Sequence, residues 1–158
     1  MLHKITPVLA MVATLLFSAN LGAQDRPVRQ RLTPADINSL NHLGPGAGTS
    51  GVSGIETIVL KGDPTKAGLY TIVIKVPANT RIEAHDHPDD RVATVISGTW
   101  YLGYGSRFDE RELKALSPGS FYTEPPHDSH FARTGDTAVV IQISGFGPTG
   151  TTYSAHTK

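Results

Sequence analysis

From residue 54 onward the chain is cut into short pieces. Segments rich in β-branched and aromatic residues alternate with turn-forming clusters: Gly62-Asp63-Pro64, Pro77-Ala78-Asn79, Gly98, Ser117-Pro118-Gly119-Ser120 and Gly145-Phe146-Gly147-Pro148. Pieces this short suit strands rather than helices. Strands are expected at residues 55–61, 69–76, 80–84, 92–97, 99–104, 114–116, 121–124, 130–133 and 137–144. Gly98 reads as a tight turn joining two antiparallel strands. Residues 106–112 could form one helical turn within a loop. There is no α/β alternation and no internal repeat, so the pattern predicts a single all-β sandwich or barrel.

The 158 residues are enough for one such domain, preceded by other material. His3 and Lys4 lead into an apolar run over residues 5–19, followed by Asn20-Leu21-Gly22-Ala23. This reads as a secretory signal peptide, residues 1–23, cleaved after Ala23. The run is short and interrupted by Thr6, Pro7, Thr14 and Ser18, which disfavours a membrane anchor. A periplasmic or secreted protein, with no membrane attachment after cleavage, is expected. Losing Lys4 leaves 13 basic against 14 acidic residues, a net charge of −1. That balance gives no footprint for a nucleic-acid partner. With no cysteine in the chain, a metal site must draw on His, Asp or Glu.

Residues 24–53 read as an N-terminal arm with a short helix. Thr33 is the expected N-cap, Pro34 suits the first turn, and Asp36 completes a capping box, with the helix running to about Leu43. His42 at its end reads as a surface histidine favoured by the helix dipole. The glycine-rich stretch 44–51 then breaks regular structure. The arm is expected to cover an open sheet edge and to pair two copies in a homodimer. The barrel itself is expected over residues 54–147, with a polar tail over 148–158.

The chemistry concentrates at His85-Asp86-His87. Residues i and i+2 of a strand share a face, so both imidazoles can converge on one point. Here the chain resembles a single-domain cupin, a jelly-roll β-barrel. The first cupin motif is matched by His85, His87 and Gly98, and the second by Gly119, Pro125 and His130. Four positions depart from the pattern. Asn79 stands for the first motif's opening glycine and Arg91 for its glutamate. His127 stands for a glycine of the second motif and Thr134 for its closing asparagine.

The resemblance implies a divalent ion (Fe, Mn, Zn or Ni) held by His85, His87 and His130. The usual glutamate does not carry over, because the guanidinium of Arg91 stays protonated and cannot ligate. Arg91 shares the inward face by parity, where a cation needs an anion beside it. Glu124, six residues before His130 and of inward parity in its strand, is the candidate. Two readings stand. Glu124 is the fourth ligand, with Arg91 orienting it or binding a substrate carboxylate; or Glu124 pairs with Arg91 and leaves three histidines and water. Asp89 or Asp90 is expected to accept a hydrogen bond from Arg91 or a histidine.

His127 is expected at the rim, with a gating or proton-transfer role open to it. The aromatic residues read as core by default, Tyr122 included, and its shared parity with Glu124 also makes Tyr122 the aromatic candidate for the cavity wall. Together these features point to an enzyme on a small organic molecule, with Arg91 suiting an anionic one, by dioxygenase or Lewis-acid lyase or isomerase chemistry. The competing reading is a non-catalytic periplasmic binding or sensing module.

Overall fold

The structure, a computed structural model, describes residues 29–154, so the segment 1–23 expected to be a signal peptide lies outside the described residues. The short helix α1 (Pro34–Asn38) carries the anticipated capping box between Thr33 and Asp36. It ends at Ser39 rather than near Leu43. Leu43 instead forms an isolated bridge with Thr57, because its backbone groups find strand partners there. His42 therefore lies beyond the helix, with Nδ1 2.9 Å from the Glu56 carboxylate.

Ten strands follow: β1 (Glu56–Lys61), β2 (Gly68–Val76), β3 (Arg81–Asp86), β4 (Arg91–Ser97), β5 (Trp100–Tyr104), β6 (Lys114–Leu116), β7 (Phe121–Glu124), β8 (His130–Thr134), β9 (Val139–Gly147) and β10 (Thr152–Tyr153). They form two five-stranded antiparallel sheets, in the orders β1-β2-β9-β4-β7 and β10-β3-β8-β5-β6. This is a jelly roll. The helical turn expected at 106–112 is a 3₁₀ turn at Glu110–Glu112.

Alternation builds the core. Tyr70, Ile72, Ile74 and Val76 of β2 point inward, opposite Val139, Ile141 and Ile143 of β9. The facing sheet supplies Ile82, Trp100, Leu102 and Ala132 to the same cluster. Each fully buried aliphatic side chain contributes about 1.5–3 kcal/mol, which sets the strand register strongly.

Gly98 is not a hairpin turn. β4 and β5 lie in different sheets, so the chain turns a corner there. Gly98 has φ 77°, and a Cβ would stand 2.5 Å from the Ala138 carbonyl oxygen. Strand β9 runs three residues past Ser144, and β10 pairs with β3, so residues 152–153 belong to the second sheet.

Among the described residues, two other than glycine have left-handed backbones: Asn79 at φ 54° and His127 at φ 59°. Both stand where the family pattern has glycine. The turn geometry is kept although the residue that makes it easy is not.

Candidate metal centre

β3 and β8 are neighbours, with His85 paired directly to His130. His87 follows one residue after β3 and turns back to the same point. The three histidines each offer a ligand atom within 4.8 Å of the others. All three are buried, His87 at 1 % exposure.

The far nitrogen of each ring is fixed by a backbone carbonyl. His85 Nδ1 lies 2.8 Å from Glu83 O, His87 Nδ1 2.5 Å from Gly150 O, and His130 Nδ1 3.4 Å from Asp128 O. A carbonyl only accepts, so each Nδ1 carries the proton and each Nε2 presents a lone pair. His87 Nε2 is buried and makes no hydrogen bond, with Glu124 Oε2 3.8 Å away. Burial, reinforced by the charge of His130, lowers the His85 imidazole to about 4. Burial, then Arg91, lowers His87 to about 3. Three imidazoles aimed inward form a donor set for a first-row divalent ion.

Glu124 sits opposite Arg91 in the register between β4 and β7. Nε of Arg91 donates to Glu124 Oε2 at 2.7 Å, and Nη2 donates to the same oxygen. Burial alone would lift the Glu124 carboxyl, but the guanidinium overrides it and holds the group at about 2. The other oxygen, Oε1, is left facing His130 Nε2 at 3.6 Å. The remaining guanidinium contact runs from Nη1 to Gly48 O at 3.1 Å. Arg91 is thus directed to Glu124 and the main chain, with 2 % of its surface exposed.

The glycine-rich stretch folds over the site. Gly48, Thr49 and Ser50 line a cavity of about 20 Å3 together with His85, Glu124 and His130, space for one water-sized occupant. Thr151 Oγ1 donates to Thr49 O at 2.6 Å, and Tyr153 OH to Ser50 O at 2.8 Å. Gly48 has φ 89°, and a Cβ there would come within 2.7 Å of Ile72 Cδ1.

Tyr122 faces this cavity from β7. His127 does not line it: its ring is exposed, 3.4 Å from Asp86, while its N–H donates to His87 O and steadies the ligand loop. The acceptor role expected of Asp89 or Asp90 falls to Asp89, but from an unforeseen donor, since Tyr70 OH donates to Asp89 Oδ2 at 2.7 Å. Gly145 makes that pair possible, because a Cβ would lie 2.7 Å from both partners. Sequence reasoning missed Tyr70, the residues 48–50 and Gly150. Only the glycine density of 44–51 hinted at close backbone approach.

No family model and no curated protein matches the chain by sequence. Solved structures do. A cupin sugar phosphate isomerase from Silicibacter pomeroyi aligns at TM-score 0.56 and 17 % identity, over 75 % of this chain and 80 % of that one. A DMSP lyase from Ruegeria pomeroyi DSS-3 aligns at 0.54 and 19 %, over 63 % of this chain and 51 % of its own length. The chain thus spans about half of that lyase. A salicylate 1,2-dioxygenase from Pseudoaminobacter salicylatoxidans aligns at 0.52 and 14 %, over 66 % and 30 %. The fold is the cupin jelly roll, with three histidines arranged so that they could hold a metal ion.

Proposed function

We propose that this chain is an exported, metal-dependent cupin enzyme acting on a small anionic organic molecule. One observation carries the reading: three buried histidines, each pinned at Nδ1, aim their Nε2 atoms at one point. His85, His87 and His130 would hold the ion, with Glu124 Oε1 as fourth ligand and Arg91 fixing Glu124 through Oε2. A divalent ion there would supply Lewis acidity or a site for dioxygen.

The charge balance supports an anionic substrate. Arg91 already meets the charge of Glu124, so an ion among neutral imidazoles keeps positive charge that an anion would offset. Among the structural neighbours stand a dioxygenase, lyases and an isomerase, which are the reaction classes this donor set suits. The small volume of the cavity, room for one water-sized occupant, favours a second reading, a binding module whose metal never meets substrate.

Untagged protein should carry about one divalent ion per chain by elemental analysis and begin at Gln24 by N-terminal sequencing. A screen of small carboxylates, followed by oxygen uptake and by product analysis, then separates dioxygenase from lyase or isomerase. Turnover that disappears with the metal supports the enzyme; tight metal without turnover of any acid supports the binding module.

A further inference from the structure

A second space lies at the edges of the two sheets, away from residues 48–50. Strands β6 and β7 are the edges of their sheets, and each pairs on one side only. Between them lies a groove of about 470 Å3, lined by Leu102, Tyr104, Lys114, Leu116, Phe121 and Tyr122, with Glu112 and Thr123 completing it. That volume is in the range of small-molecule sites, about 300–1,000 Å3.

Cross-strand pairing shows that the groove reaches the interior face. Trp100 is paired with Leu116, and Leu102 with Lys114. Directly paired residues share a face, and Trp100 lines the metal cavity. Leu116, Leu102 and Lys114 therefore continue the same inner surface outward. One hydrogen bond crosses the gap at its side, from Tyr104 OH to Thr123 O at 2.8 Å.

Tyr122 is the one residue that lines both spaces. Its ring forms their common wall. Its hydroxyl lies within hydrogen-bonding reach of the buried Trp100 Nε1, in a contact that falls short of a well-formed bond. An indole N–H at 4 % exposure, only loosely engaged by Tyr122, favours a better-placed acceptor. At the other end, Lys114 is exposed on the inner face with no ion pair among the described residues.

We propose that this groove is the entrance and binding vestibule of the metal cavity, that Tyr122 is its gate, and that it takes a flat apolar molecule with a carboxylate at one end and a hydroxyl or carbonyl oxygen at the other. Lys114 receives the carboxylate. Leu102, Leu116 and Phe121 pack against the apolar body. The inner oxygen accepts from Trp100 Nε1 once the Tyr122 ring swings aside. Glu112 at the lip opposes a second anionic group, so a monoanion is selected. The route to the metal rests on the function proposed above; the binding in the groove does not.

The test titrates 4-hydroxybenzoate, benzoate and phenol into the full mature protein, zinc-loaded and metal-free, with Leu methyl and Trp indole NMR signals as readout. 4-Hydroxybenzoate is expected to shift the Leu102 and Leu116 methyls and the Trp100 indole saturably. Benzoate should spare the indole, and phenol should bind more weakly. Lys114→Glu, at an exposed edge position, should weaken 4-hydroxybenzoate about tenfold. Tyr122→Ala should let the indole respond at lower ligand concentration; where it does not fold, Lys114→Glu decides alone. Shifts confined to residues 44–51, or affinity indifferent to Lys114→Glu, would overturn the vestibule. Metal uptake is read separately by elemental analysis. A chain that binds the acid in the groove but takes no metal contradicts the metal reading alone, whereas a zinc-loaded chain blind to the acid overturns the vestibule alone.

Discussion

Removing the metal should leave a protein that is unusually sensitive to mild acid. His85 and His87 are neutral and buried, lowered from an ordinary 6.5 to about 4 and about 3 by burial first and by neighbouring charge second. On unfolding, both return to water and take up protons near 6.5. Between pH 6.5 and 4 the unfolded chain therefore binds more protons than the folded one, and stability falls as pH falls. From pH 7 to pH 5 each histidine costs about 2 kcal/mol, roughly 4 kcal/mol together. A domain has about 5–15 kcal/mol in all, so the loss is easy to see. Below pH 4.5 the depressed Glu124 carboxyl adds to it in the same direction. Urea unfolding of EDTA-treated protein at pH 7, 6 and 5 measures this, with the fluorescence of the buried Trp100 as probe. His87→Gln should remove about half of the dependence between pH 7 and 5. A midpoint unchanged over that interval would refute buried neutral imidazoles.

Other outcomes follow from single contacts. Arg91→Met strands the buried Glu124 and should cost about 3–5 kcal/mol, most of it recovered by adding Glu124→Gln, as read by chemical denaturation. Glu124→Gln alone should speed loss of bound metal to a chelator, because the ring nitrogens remain but the carboxylate does not; an unchanged rate would leave three histidines as the whole donor set. Tyr70→Phe takes the donor from Asp89, whose Oδ1 already has none, and should cost about 1–3 kcal/mol. His127→Gly relieves a left-handed backbone at φ 59° and should raise the melting temperature, by up to about 1 kcal/mol of added stability.

Much of this centre could be read from the chain because it depends on strand parity. His85 and His87 share a face through their i, i+2 spacing, and Arg91 and Glu124 meet because inward residues on paired strands meet. The open choice between Glu124 as ligand and Glu124 as Arg91 partner takes a physical form: one oxygen faces Arg91 and the other faces His130. What parity could not supply was long-range placement. A glycine between two strands signals a sharp turn, yet Gly98 gives no sign of whether the next strand stays in its sheet. Residues 44–51 look like a breaker, and only the fold brings Gly48 O to Arg91. The polar stretch after Pro148 has no apolar pattern to betray β10, because its pairing uses backbone groups that every residue carries. The Tyr70–Asp89 pair depends on a missing side chain at Gly145, a vacancy that sequence alone does not locate.

The central claim is that His85, His87, His130 and Glu124 gather around one divalent ion. Anomalous diffraction at the metal's absorption edge, from crystals of untagged protein, tests it most directly. The account predicts one peak among the three Nε2 atoms, about 2.1 Å from each, with Glu124 Oε1 in the same shell and Oε2 still held by Arg91. No peak there in metal-loaded protein, or ligation through Nδ1 with the backbone carbonyls released, would contradict it.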